Sequence, residues 1–279
     1  MTTVQTLLPN DVPANGQGGV WAYVSPSRLA KWLTCPLAFK LQYVDGIRQP
    51  TTPSLFLGKV VHAGLEAFYR HRHLGVTLEP TDVCRRLLEL WGPTIDAENM
   101  TFESAEAERA LQQQAAGLVT AYLAHAPADE KPLAVEVATN APLVDPLTGE
   151  DLGIPLLGVI DLIVGSTDGA VIADFKTAAR STEPLEIFHE IQLTSYAYLF
   201  RQLSDQTESG LEIRSLVKTK VPKIEFHGYP ARTDAHFRRL FSVIREYLDA
   251  VDAGRFNFRP GFHCGMCDFA TAHCREWCG

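Results

Sequence analysis

Residues 158–177, GVIDLIVGSTDGAVIADFKT, decide the fold. Two apolar runs flank residues 166–169, and the Asp168-Gly169 pair is a hairpin signal. Asp161 interrupts the first run, and Asp174 and Lys176 interrupt the second. Side chains alternate along a strand, so Asp174 and Lys176 share one face while Phe175 points to the other. A connection over 166–169 pairs Gly165 with Ala170 and, counted back along both strands, Asp161 with Asp174. The two aspartates are then cross-strand neighbours with Cβ atoms about 5 Å apart. Carboxylates held that close in apolar surroundings repel each other and resist ionising together. A hard divalent cation between them, Mg²⁺ or Mn²⁺, resolves the conflict. Lys176, from the same face, suits an attacking water or the charge that builds on a phosphoryl transition state. A solvated surface ion pair explains any one of these residues, but poorly explains all three inside apolar strands.

Outward from the hairpin, the chain reads as α/β. Upstream, Ser25-Pro26-Ser27 is a helix start, helical spacing runs over 56–72 and 103–125, and strand-like runs cover 134–137 and 156–164. Downstream, the spacing predicts a helix over 185–203, strands over 213–221 and 224–229 joined at Pro222, and an amphipathic helix over 235–253. Residues 1–20, rich in Thr, Asn, Gly and Pro, read as a flexible leader, with a single domain from 21 to 279 whose core spans about 130–230.

The 279 residues carry 25 basic and 33 acidic side chains, a net charge of −8. A polyanionic partner must therefore be met by a local patch. Between Arg214 and Arg245 eight basic residues face two acidic ones, with Lys218, Lys220 and Lys223 read as an alternating phosphate-tracking stripe on a strand. No apolar run approaches the ~18 residues of a membrane span, and no export signal opens the chain, so a cytoplasmic protein is expected. Such a compartment disfavours disulfides. Four of the six cysteines nevertheless crowd into the last 16 residues, with Cys264-x-x-Cys267 in one tight loop able to present two thiolates to one metal. Cys84 reads as a buried helix cysteine.

Asp161 with Asp174-Phe175-Lys176 resembles the D…(D/E)-x-K core of the PD-(D/E)XK nuclease superfamily. Four further features resemble its RecB-type branch, which includes AddB-like and CRISPR-associated exonuclease domains. These are Gly58-x-x-x-His62, Gln192-x-x-x-Tyr196, Cys35-Pro36 in an early helix, and the late Cys264-x-x-Cys267 followed by another cysteine. The motifs run in order from about residue 25 to the C-terminus.

The resemblance implies a restriction-endonuclease-like mixed sheet flanked by helices. It implies a metal-dependent DNA nuclease, an exonuclease foremost, acting on single strands or free ends in repair, recombination, CRISPR adaptation or phage DNA processing. A helicase or another complex subunit is the implied protein partner, and no membrane is involved. His62, Asp161, Asp174 and the Phe175 carbonyl would hold Mg²⁺ or Mn²⁺. Lys176 would assist the water, and Gln192 and Tyr196 would position the strand. Cys35, Cys264, Cys267 and Cys274 would hold a [4Fe–4S] cluster that staples residues 25–45 to 254–279, with Cys278 spare and zinc as the runner-up. Glu136, alone in a strand, reads as an edge glutamate before it reads as a further acid of the site. The alternative function is a non-catalytic DNA-binding or scaffold subunit, which would have no use for a repulsive carboxylate pair.

Overall fold

A computed structural model describes residues 19–181 and 186–278. The leader therefore lies almost wholly outside the described residues.

Eight α-helices and five strands among the described residues carry the fold. Helix α1 (Pro26–Thr34) opens with Pro26 at its first position and Ser25 as N-cap, whose side chain accepts from the Arg28 N–H. Pro36 restricts the residue before it to extended backbone. Cys35 accordingly sits at φ −161°, ψ 110° between α1 and the short α2 (Pro36–Phe39), which continues as a π turn over Lys40–Val44. Cys35 is thus in a break between helices and not within one, a correction to the sequence reading. Then come α3 (Pro53–His73), α4 (Pro80–Glu98) and α5 (Ala105–His125). Helix α4 carries Cys84, read from the sequence as a helix cysteine, and runs on through Pro93 inside it.

The sheet follows, with β1 (Lys131–Val144), β2 (Asp151–Ser166), β3 (Gly169–Ala178), β4 (Gly210–Val217) and β5 (Lys223–Pro230) in the spatial order β1-β2-β3-β4-β5. Only β3 and β4 pair in parallel, and α6 (Glu186–Ser204) makes the crossover that a parallel pair requires. Helix α7 (Asp234–Asp252) and the short α8 (His273–Glu276) complete the chain.

Two apolar cores sandwich the sheet. On one face Leu29, Trp32, Leu193, Leu199, Phe237 and Phe241 from α1, α6 and α7 pack with Ile172 and Ile213. On the other, Phe56, Leu65, Leu87, Leu118 and Tyr122 from α3, α4 and α5 pack with Ala173, Phe175 and Leu216. Strand alternation drives this division along β3: Ile172 feeds one core and Phe175 the other. This is a mixed five-stranded sheet flanked by helices, as the PD-(D/E)XK resemblance implies. Among the described residues, no helix is long and apolar enough to cross a membrane.

The expected basic stripe does not form as read. Arg214 is buried and held by Glu130 at 2.5 Å and Glu212 at 2.7 Å, with the Tyr69 and Tyr122 hydroxyls also accepting from it. Arg232 pairs with Glu186, Arg239 with Glu190 and Arg245 with Asp145. Lys218 and Lys220 lie in the β4–β5 connection, and only Lys223 is on a strand. Sequence counting missed this because, Glu212 apart, the acidic partners come from elements remote in the chain.

Candidate active site

The hairpin adopts the expected register. Gly165 pairs with Ala170 and Leu162 with Ala173, while Ser166 also pairs with Gly169, leaving a two-residue turn. The ladder stops at Leu162–Ala173, and the next residues are Asp161 and Asp174. There the Phe175 N–H donates to Asp161 Oδ2 at 2.8 Å in place of a ladder bond. The N–H and C=O of an extended residue point to the same side, so the Phe175 carbonyl also faces the β2 side. Its ring is buried on the opposite face against Tyr69 and Tyr122.

Each remaining side chain is brought in by its own element. Lys176 projects from the same face of β3 as Asp174, its Nζ 2.6 Å from Asp174 Oδ2. Helix α6 lies over that face, and Gln192 donates from Nε2 to Asp174 Oδ1 (3.1 Å) and to the Tyr196 hydroxyl (2.8 Å). That links the two residues four apart on one helical face. Close approach of α6 to β2 depends on Gly158, where a Cβ would lie 2.6 Å from Leu199 Cδ1.

Helix α3 carries His62, whose Nδ1 stands 3.6 Å from Asp161 Oδ2. One turn earlier, Gly58 lets α3 close on β3; a Cβ there would lie 3.2 Å from Thr177 Oγ1. The spacing of Gly58 and His62 is thus a packing requirement followed by a site residue.

Glu136 completes the group. The flanking pairs Val135–Leu162 and Val137–Ile160 place it opposite Asp161 on the neighbouring strand. Ligand atoms of His62, Glu136 and Asp161 all lie within 4.8 Å of one another. Its backbone φ of 49° is left-handed, a strained state for a residue with a side chain, and such strain clusters at functional sites. Glu136 thus lies on the edge strand, as the sequence reading had it, and stands beside His62 and Asp161 as well. Its signal, a lone acid in the apolar run LAVEV, was present but weak.

The electrostatics match a site awaiting positive charge. Burial pushes the Glu136 carboxyl up to about 7, with Asp161 adding to the shift. Burial and the neighbouring Asp174 likewise push Asp161 up to about 6. Burial, with Asp174 nearby, raises the Tyr196 phenol, keeping it a hydrogen-bond donor. Three buried or half-buried carboxylates on three adjacent strands, with one imidazole, form a donor set that fits a hard divalent cation. Asp174 lies beside this group, not within the 4.8 Å cluster.

Cys35, Cys267 and Cys274 lie in one apolar cluster with Phe269. Burial raises the Cys274 thiol, and Cys35, Cys267 and Cys264 raise it further, so these four sulfurs share one neighbourhood. Among the described residues, no three of them come within 4.8 Å of one another. Cys278 is exposed, and its thiol donates to the Glu276 carbonyl. Cys84, half-buried on α4, contacts Thr120 and the Ala116 carbonyl of α5.

Comparison with known proteins bears on the fold and the family. A crystal structure of a candidate exonuclease from Eubacterium rectale aligns over 89% of this chain and 86% of that chain, at 14% identity and a TM-score of 0.56, a likeness of fold. The crystal structure of SSO0001 aligns over 79% of this chain and 96% of that one, at 16% identity, but with a TM-score of only 0.39. No curated protein matches the sequence. The family model of the PD-(D/E)XK nuclease superfamily matches residues 23–275, which span every element of the site, and the chain belongs to that superfamily.

Proposed function

We propose that the protein is a RecB-type, metal-dependent deoxyribonuclease that hydrolyses phosphodiester bonds at DNA ends. The observation that carries this reading is the meeting of Asp161, Asp174 and Lys176 on paired strands, with His62 and Glu136 closing the acidic side. His62, Asp161, Asp174 and the Phe175 carbonyl would hold Mg²⁺ or Mn²⁺, with Glu136 as a further acidic donor. The bound cation supplies Lewis acidity and neutralises charge on the phosphoryl oxygens.

This chain's own residues do the rest. Lys176 orients the attacking water with its ammonium and offsets the negative charge that grows in the transition state. Asp174, in contact with Lys176 and Gln192, fixes where that ammonium points. Gln192 and Tyr196 hold the strand beside the reacting phosphate, the phenol staying protonated. The Phe175 N–H fixes the Asp161 carboxylate through Oδ2, the oxygen that also stands nearest His62.

Cys35, Cys264, Cys267 and Cys274 are the proposed ligands of a [4Fe–4S] staple between the chain ends, supported by the packing of Cys35, Cys267 and Cys274 in one cluster with Phe269 and by the influence of Cys264 on Cys274. The test of the activity is cleavage of end-labelled linear and closed circular DNA with Mn²⁺, Mg²⁺ or EDTA. Metal-dependent cutting of linear DNA alone supports an exonuclease. Cutting of circles overturns the end requirement, and no cutting of any nucleic acid overturns the nuclease reading.

A further inference from the structure

The site opens in two directions, and the two sides differ in chemistry. His62 and Glu136 line both cavities and so stand at the waist between them. On one side a cavity of about 970 Å³ runs between α1, α6 and the β1–β2 strands and contains Asp161, Gln192 and Tyr196. No described lysine or arginine lines it; its walls include Tyr23, Leu33, Val159, Ile187 and Phe188. Phe188 and Ile187, adjacent on the first turn of α6, are 78% and 65% exposed. On the other side the second cavity is lined by Lys59 and Lys176 with Thr52, Ser54 and Thr177, and Lys218 donates to Ser54.

Beyond the proposed metal position at the waist, no described cation in the larger cavity meets the phosphates of a polyanion laid across it. The polyanion can place its uncharged parts there. Bases present an apolar π-face to any aromatic side chain, whereas paired bases keep that face inside the duplex stack. Resting on the nuclease reading above, we infer that the larger cavity binds unpaired nucleobases next to the scissile phosphate. Phe188 is their stacking platform and Ile187 the adjoining apolar wall. The phosphates turn toward Lys59 and Lys176. Phe188 is thereby a specificity-determining residue for unpaired strand.

The test measures binding and cleavage separately, on the full chain. Single-stranded oligodeoxynucleotides carrying 2-aminopurine, an otherwise identical strand with abasic positions, and a blunt duplex are titrated with Ca²⁺ as the divalent ion. Wild type, Phe188→Ala and Phe188→Trp are compared, and KM and kcat are then measured with Mn²⁺. Phe188→Ala should weaken binding of the normal strand about tenfold, in line with loss of one stacked base. It should also abolish 2-aminopurine quenching and raise KM more than it lowers kcat, with Phe188→Trp restoring all three. The abasic strand should bind wild type and Phe188→Ala equally. Equal affinity of the two proteins for the normal strand overturns the inference, as does an equal loss on the abasic strand. If wild type cuts nothing with Mn²⁺, the nuclease reading fails, and the titration still decides whether Phe188 binds bases.

Discussion

The Phe175 N–H donates to the Asp161 carboxylate at the point where the β2–β3 ladder would otherwise take its next bond. One hydrogen bond thus ends the pairing, opens a gap between two strands and pins a site carboxylate across it. Asp174 follows Ala173 on the other side of the gap, and the two acids stay adjacent because the ladder holds them in register. An Asp161→Asn variant retains the shape but donates or accepts at the wrong atom and lacks the charge. We expect folding to persist and Mn²⁺ affinity, read by calorimetry, to fall at least tenfold.

Metal-free stability should depend on pH with a definite sign. Glu136 and Asp161 titrate higher in the folded chain than in the unfolded chain, so the folded state binds more protons between about pH 4.5 and 7. Stability is then greatest at the acidic end of that window and declines as pH rises through it. Scanning the metal-free protein from pH 5 to 7.5 should show the melting temperature falling by several degrees. Glu136→Gln should flatten that slope. With Mn²⁺ present the trend should reverse, because protons and cation compete for the same oxygens.

Gly158 and Gly58 predict a graded pair of packing defects. Gly158→Ala drives a methyl to 2.6 Å from a buried leucine, and should cost about 1–3 kcal/mol in denaturant titrations, since α6 must shift from β2. Gly58→Ala meets a threonine hydroxyl at 3.2 Å, a neighbour that can give slightly, and should cost less. Its greater effect should be on metal affinity, through the position of His62.

How much of this was legible in the chain follows from which contacts are local. The hairpin register could be read because the connection at residues 166–169 is short, and loop parity decides which residues face each other. Gln192 and Tyr196 could be paired because helical spacing is fixed. Glu136 could be noticed but not placed, since its recruitment rests on a left-handed backbone kink and on pairing between strands joined by a longer loop. The arginines counted as free positive charge between Arg214 and Arg245 could not be read correctly for the same reason. Glu130 is 84 residues from Arg214, and no spacing rule connects them.

The cysteines separate on replacement. Cys35→Ser and Cys274→Ser should each lose bound iron and visible absorption and lower the melting temperature, because they remove a tie between the chain ends. Cys278→Ser should leave metal content and melting unchanged, its thiol being exposed and outside the Phe269 neighbourhood. Elemental analysis of the three purified proteins checks this, and a zinc content in place of iron would replace the cluster with the other metal.

The central claim is that Asp174 and Lys176 act as one catalytic unit on phosphodiesters. The most direct measurement is Mn²⁺-dependent cleavage of linear single-stranded DNA by wild type and Lys176→Ala, at matched concentration and matched far-ultraviolet circular dichroism. The account predicts rapid cutting by wild type, none in EDTA, and a loss of about 10²–10³ in kcat for the variant, the scale expected for removing one preorganised charge-stabilising donor. Undiminished cutting by Lys176→Ala would contradict it.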